Sequence, residues 1–435
     1  MAVIKILCTA DLHLGRSSSI AQEVDLDITA MGAWRRIVAL AIDQMADVVV
    51  IAGDVFDSFA SSLQERKHFH DGVVRLADEK IPVVAVTGNH DHDALPAYAA
   101  AFSHESFLLL GLRGWEERVI STKSGPVRFV GQSFTSVFER APATSPVLEP
   151  MPGVPTVAIL HGDLVPNSAY RPVSTSVLDR PADAWVLGHI HVPLQIASAK
   201  VPSIYPGSPQ ALDFGETGSH GINWLEIEGM KATFAPTIPI STVRYEILDV
   251  DVSGKPGSPS LVLEDAVRTR ARSLSPATSD RGYCALRVDA LVSGEGVKKV
   301  EEPINGDGFE WQLMSIAVPP SIDDVFRDVA DASAVGQTAR IIAGLLADLG
   351  DARSTGREIS PDWIRLARRL AKQAAPEMQM QYRLYLGKAA EDHRIEHLPP
   401  DLPDVEANKK AKQLLLFASL DLYRQLCEQL KGGAA

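Results

Sequence analysis

The stretch Val48-Val49-Val50-Ile51-Ala52-Gly53-Asp54-Val55-Phe56-Asp57 opens with five apolar residues and stops at a glycine and a carboxylate. The apolar run is too short for a helix and does not alternate. It therefore reads as a strand covered on both faces, the kind found inside parallel sheets. At the point where that strand gives way to a loop, the chain places a group that can bind a metal or a proton.

The pattern recurs on either side. Val3 to Thr9 is another short apolar run, ending at Asp11-Leu12-His13, and Ile81 to Val86 runs into Thr87-Gly88-Asn89-His90-Asp91. Between the runs lie helical periods. From Met31 to Met45, the residues Trp34, Ile37, Val38, Ile42 and Met45 recur at spacings of three and four, and Gln64 to Glu79 is a second helical segment. Short buried strands separated by amphipathic helices predict βαβ units and a parallel sheet core.

From about Phe107 the sequence is strand-rich. Arg140 to Pro155 holds five prolines without a period and reads as a surface loop, while Thr156 to Leu160 and Ala184 to Leu187 read as strands, with more up to about Leu248. Residues 245–320 read as a small α/β unit with a helix at Leu261 to Ser273 and strands at Tyr283 to Val292 and Glu310 to Val318. Beyond Ser321 the pattern is helical. Trp363 to Gln373 carries Arg365, Arg368, Arg369 and Lys372 on its polar face, and Asn408 to Leu430 is amphipathic through Leu414, Leu415, Phe417, Leu420, Leu422 and Leu426. The expected division is 1–243, 244–320 and 321–435.

At 435 residues, with 46% hydrophobic and 22% charged residues, the composition is that of a globular protein with room for more than one domain. No apolar run reaches the roughly 18 residues of a membrane span. The N-terminal run shows no basic segment or cleavage site, and Cys8, Cys284 and Cys427 are too scattered for a disulfide framework or zinc cluster. A cytoplasmic protein without membrane contact is expected. The net charge of −13 weighs against unassisted tight binding to a polyanion, but suits a site completed by dications.

The chemistry-bearing residues all follow strands: Asp11 and His13 the first, Asp54 the second, Asn89 and His90 the third. His161, in Leu160-His161-Gly162-Asp163, follows a fourth, and His189 and His191, in Gly188-His189-Ile190-His191, follow a fifth. Ligands of such sheets bind beyond the carboxyl ends of the strands, so these groups can converge. Imidazole and carboxylate without thiolate suit manganese, iron or zinc, and a carboxylate such as Asp54 can bridge two ions about 3.5–4 Å apart. Glycines 53, 88, 162 and 188 permit tight turns and close approach. Each motif alone is commonplace. The ordered series is specific.

That series resembles the calcineurin-like metallophosphoesterase superfamily. Ala52 to Asp57, together with Tyr205-Pro206-Gly207-Ser208-Pro209-Gln210 leading into Asp213-Phe214-Gly215-Glu216, resembles the SbcD-type DNA repair exonucleases and their YhaO-like branch. The resemblance spans about residues 1–240. It implies two mixed β-sheets flanked by helices, a small capping domain and a helical tail. It also implies two divalent ions, manganese with iron or zinc as alternatives. One would be held by Asp11, His13, Asp54 and His191, the other by Asp54, Asn89, His161 and His189. His90 would protonate the leaving oxygen or stabilise the phosphorane-like charge, with Asp91 orienting it. Some members carry a histidine three residues after the bridging aspartate; here Asp57 stands there, as in SbcD-like bacterial members. That leaves Arg16 and Asp57 as candidates for substrate contact, Arg16 alternatively being a solvated surface residue.

DNA is the implied substrate, with an SMC-like ATPase as partner and a homodimer through the phosphoesterase domain. A small phosphodiester such as a cyclic nucleotide is the alternative substrate, and a non-catalytic scaffold a third possibility. The final helix either docks on the ATPase or packs on its own chain. Asp163 is a candidate partner for the second ring nitrogen of His161, and His92 and His104 are expected to be supporting or exposed residues.

Overall fold

Strands expected to be buried on both faces are so in the computed structural model, which describes residues 2–16, 26–57, 63–102, 104–179, 181–251, 259–273, 282–291 and 309–317. The chain first lays down β1 (Ile4–Thr9), α1 (Ala30–Asp43), β2 (Val48–Ala52), α2 (Leu63–Asp78), β3 (Val83–Val86), α3 (Ala94–Ala101) and β4 (Phe107–Leu109). It continues with β5 (Glu116–Thr122), β6 (Gly125–Gln132), β7 (Thr156–His161), α4 (Thr175–Leu178), β8 (Ala184–Gly188), β9 (Leu194–Gln195) and β10 (Ser203–Tyr205). β11 (Gly221–Glu228), β12 (Lys231–Phe234) and β13 (Ile238–Pro239) follow.

These strands form two mixed sheets. The first runs β12-β11-β1-β2-β3-β4, with β13 on β11; the second runs β5-β6-β7-β8-β10-β9. β1 to β4 are mutually parallel and β11 returns antiparallel against β1, so Cys8 faces Asn223 on one side and Val50 on the other. The period of two along each strand builds the layers. Ile6, Cys8, Val48, Val50, Val84 and Val86 point inward to meet Phe129, Val157, Ile159 and Val186 of the second sheet. Leu7, Val49, Ile51 and Val83 point outward under α1 and α2, against Trp34, Ile37, Phe69 and Val73. On the far face of the second sheet, Ala158, Leu160, Trp185 and Leu187 meet Val177 and Leu178.

α1 starts where Thr29 Oγ1 accepts the Gly32 N–H at 3.3 Å, and it buries Trp34, Ile37, Val38 and Ala41 at the spacing read from the sequence. It closes with Met45 in the left-handed region (φ 53°), where the Ala46 N–H donates back to Ala41 O at 2.8 Å. β3 begins at Val83, later than expected, because the Ile81 N–H still serves α2 by donating to Leu76 O at 2.9 Å. Residues 140–155 are without regular structure, as their prolines require.

Chain contacts separate a larger unit of residues 1–246, with short returns at 275–285 and 307–311, from a smaller one of residues 247–274, 286–306 and 312–435. Near this division, β14 (Val243–Asp251), β15 (Gly282–Leu291) and β16 (Phe309–Ala317) pair in that order, with α5 (Pro259–Ser273) between β14 and β15 in sequence. These elements lie where the sequence placed a small α/β unit. The helices expected at 363–373 and 408–430, and the helical region from 321 onward, lie outside the described residues. Among the described residues no helix is long and apolar enough to cross a membrane.

Candidate metal centre

The register of the parallel strands puts their carboxyl ends side by side: Thr9 beside Ile51, Ala52 beside Val86, and His161 beside Gly188. The loops that leave these ends are tied together by backbone bonds. Asp11 N–H donates to Gly53 O at 3.0 Å, His13 N–H to Asp54 O at 3.0 Å and Leu14 N–H to Val55 O at 2.9 Å. Asp11, His13, Asp54 and His189 all have positive φ (52°, 45°, 52° and 103°). Four such non-glycine residues at one point mark a backbone held in sparsely populated conformations by its surroundings, as functional sites commonly are. At Gly88 a Cβ would collide with the Asp54 carboxylate, and at Gly53 (φ 92°) with the His161 ring. Close approach requires glycine at both positions.

The side chains converge on Asp54, which is buried, as are Asp11, His13 and His161. Asp54 Oδ2 lies 3.4 Å from His161 Nε2 and 3.7 Å from His13 Nε2, while its Oδ1 accepts the His90 N–H at 2.9 Å. His13 Nδ1 donates to Asp57 Oδ1 at 3.1 Å and His191 Nδ1 to Glu216 Oε1 at 2.7 Å. With both Nδ1 atoms engaged as donors, the Nε2 atoms of His13 and His191 face each other at 3.1 Å with their lone pairs. The same occurs at His161. Its Nδ1 donates to Ala52 O at 2.9 Å, which turns its Nε2 toward Asn89 Oδ1 at 3.2 Å, an oxygen that also lies 3.2 Å from His189 Nδ1.

Acceptors aimed at acceptors in a buried pocket need a cation between them. The donor set of imidazoles, carboxylates and one amide oxygen fits divalent metal ions. Asp11, His13 and His191 form one compact group and Asp11, Asp54 and His161 another, with a third at His13, Asp57 and His90.

Without an ion, protons take its place. Burial pushes the His161 imidazole down, but Asp54 and Asp11 outweigh it and raise it to about 9. Burial likewise opposes His191, which Glu216 and Asp11 raise to about 9. His189 falls to about 3, through burial and the charge on His161. Burial would raise Asp54, but His161 and His13 hold it well below the usual carboxylate range.

Four further residues have partners that the sequence did not give. The carboxylate of Asp91 is fully buried and accepts from Val55 N–H at 2.7 Å and Gly88 N–H at 2.8 Å, so it clamps two loops instead of orienting the His90 ring. His90 Nδ1 is held by Asp57 O at 2.9 Å. The Asp57 carboxylate, part-exposed, accepts from His13 and lies 3.9 Å from His90 Nδ1. Arg16, its side chain 30% exposed, donates to Asp213 at 2.5 Å and to Glu216 at 3.4 Å. Asp163 Oδ2 lies 3.8 Å from His189 Nε2, and His161 finds its second partner in the Ala52 carbonyl. Of the supporting histidines, His92 Nδ1 reaches Asn89 O at 3.2 Å, and His104 is exposed.

Glu216 is a member of the centre that sequence reasoning misses. Its Oε2 accepts from Ser208 Oγ and Leu212 N–H, each at 3.0 Å, while Oε1 receives His191 and Arg16. The signal for it is the run Asp213-Phe214-Gly215-Glu216, which returns a carboxylate to the strand ends.

Comparison with known proteins agrees with this geometry. Residues 4–193 match the family described as calcineurin-like phosphoesterase. The chain is 28% identical over 240 residues to the uncharacterized metallophosphoesterase YhaO of Bacillus subtilis, covering 49% of this chain and 54% of that protein. It is 25% identical over 254 residues to the SbcD component of the nuclease SbcCD of B. subtilis, covering 49% and 64%. It is 26% identical over 339 residues to the DNA double-strand break repair protein Mre11 of Haloferax volcanii, covering 74% and 73%. The chain thus spans about half to three-quarters of the length of these relatives. Two mixed sheets, a donor set at their shared carboxyl ends and the match across residues 4–193 make the first part of this chain a calcineurin-like metallophosphoesterase domain.

Proposed function

We propose that this chain hydrolyses phosphodiester bonds of DNA at a two-metal centre. One ion would be held by Asp11, His13, Asp54 and His191, the other by Asp54, Asn89, His161 and His189. The observation that carries the proposal is the set of imidazole lone pairs facing one another around Asp54, with His13 and His191 Nε2 at 3.1 Å. When bound, divalent cations supply Lewis acidity toward a phosphoryl group and a nucleophile from water.

The chain's own contribution is positioning and proton transfer. Asp57 and Glu216 fix the rings of His13 and His191, and Asp91 holds the loops after β2 and β3 together. The His90 ring is tethered at Nδ1 to Asp57 O, and its side chain is 44% exposed. As the bond from phosphorus to the leaving oxygen breaks, the ring, carrying protons on both nitrogens with Nδ1–H held by Asp57 O, gives the Nε2 proton to the departing oxygen.

Manganese is the proposed ion, since the set lacks sulfur, with iron and zinc sharing its preferences. DNA as substrate is supported by similarity to relatives named as a nuclease component and a break-repair protein. An SMC-like ATPase partner, a homodimer, a cytoplasmic setting and the division at 243 and 320 belong to the same proposal.

The test is an assay of the metal-stripped chain on end-labelled single- and double-stranded DNA with manganese restored, beside His90→Ala. Metal-dependent degradation that disappears in the variant is expected. Intact DNA together with cleavage of a small chromogenic diester would replace the DNA assignment with the small-molecule one. No hydrolysis of either, with two ions bound, would leave a scaffold.

A further inference from the structure

Beside the centre, two loops carry aromatic side chains outward from one of its histidines. The Tyr170 ring lies against His189, centroids 5.0 Å apart and planes inclined by 39°, and Phe138 lies against Tyr170 at 5.6 Å and 37°. Phe138 is 55% exposed, and Val137 and Val165 on the same two loops are exposed as well. Exposed apolar side chains are ordinary when scattered. Here they adjoin a site for a charged substrate.

The backbone around them is fixed. Glu139 N–H donates to Ala169 O at 2.9 Å and Arg171 N–H to Glu139 O at 2.6 Å, so the two loops are joined directly on either side of the aromatic pair. The Arg171 guanidinium, buried beneath them, pairs with Glu139 at 2.5 Å, donates to Ser133 O at 2.7 Å and Gln132 O at 3.0 Å, and lies over the Phe134 ring. An aromatic surface held this way loses little freedom when something stacks on it.

Of the nearby arginines, Arg140 is exposed two residues from Phe138, and two others are already paired. Arg16 is paired with Asp213 and Glu216, and Arg171 with Glu139. An exposed aromatic ring beside these charges can add a contact of another kind, one that needs an uncharged partner surface. Bases supply one, because each has a π-face, whereas a base inside a duplex keeps that face against its neighbours.

We propose that Phe138, backed by Tyr170, is a stacking platform for an unpaired nucleobase of the strand whose phosphate occupies the centre. This rests on the nuclease function proposed above and narrows the substrate to strand ends or single-stranded segments.

The full-length chain with manganese is tested on oligothymidylate and on an oligomer of the same length and charge made of abasic deoxyribose phosphates, reading the ratio of kcat/KM. The wild type is expected to prefer the base-bearing strand by about ten-fold or more. Phe138→Ala and Phe138→Leu should bring the ratio close to one, and Phe138→Trp should keep it, with two metal equivalents bound in each variant as the check on folding. A ratio unmoved by Ala or Leu, a Trp variant that behaves like Ala, or a wild type indifferent to bases overturns the platform while leaving the nuclease in place. A wild type that leaves both strands intact overturns the nuclease proposal, and this inference with it.

Discussion

At the scale of single residues, the candidate centre was readable because each donor lies at a strand end, and strand ends are where βαβ sequences bring distant residues together. That rule gathers Asp11, His13, Asp54, Asn89, His90, His161, His189 and His191, while the division into metal ligands and a proton donor came from the family resemblance. What the rule does not give is the partner of each carboxylate. Asp91 follows His90 in sequence, yet its oxygens meet the backbone of Val55 and Gly88. Glu216 lies 25 residues beyond His191 and yet touches its ring. Two predictions belong here. His90→Ala should lower kcat by about 10²–10⁴-fold, the range for loss of a general acid, with bound metal unchanged by elemental analysis. Glu216→Gln, which removes the charge that orients His191, should weaken metal binding about 10–100-fold by titration calorimetry. Equal metal affinity in the wild type and the Gln variant would show that Glu216 merely fills its pocket.

At the scale of elements, helices and strands followed from periodicity, because the faces of β1, β2 and β3 are apolar on both sides and the α1 stripe is regular. The ends of elements were less legible. β3 starts late since the Ile81 N–H is claimed by α2, a tertiary choice that no local pattern contains. The end of α1 is similar: Met45 holds a left-handed conformation usually given to glycine, with its side chain 68% exposed. Met45→Gly should therefore raise the unfolding free energy by about 0.5–1 kcal/mol, read as a higher denaturant midpoint at constant slope. Within α2, Phe69 is fully buried against Trp34, Phe56, Tyr98 and Phe107. Truncation to Ala there should cost about 3–5 kcal/mol in the same experiment, without selective loss of metal binding by the folded fraction.

At the scale of the whole molecule, the net charge of −13 was the most ambiguous sequence signal, and the structure shows part of its use. Carboxylates at Asp11, Asp54, Asp57 and Glu216 gather around a few imidazoles, an arrangement that a cation relieves. Chelation should accordingly lower the melting temperature by several degrees, and two equivalents of manganese should restore it. Saturation at about 100 times Kd corresponds to about 2.7 kcal/mol. A melting curve indifferent to chelator would mean that the pocket is stable with protons alone. The helix α5 and the strands β14, β15 and β16 were legible in outline only. One further consequence follows from the position of Cys8 on β1, enclosed between the sheets, where burial keeps its thiol far above the ordinary range. An alkylating reagent can reach that sulfur only when the sandwich parts. The rate at which the Cys8 peptide gains mass in a labelling pulse is thus a built-in stopwatch for opening of the domain, readable by mass spectrometry without any introduced probe.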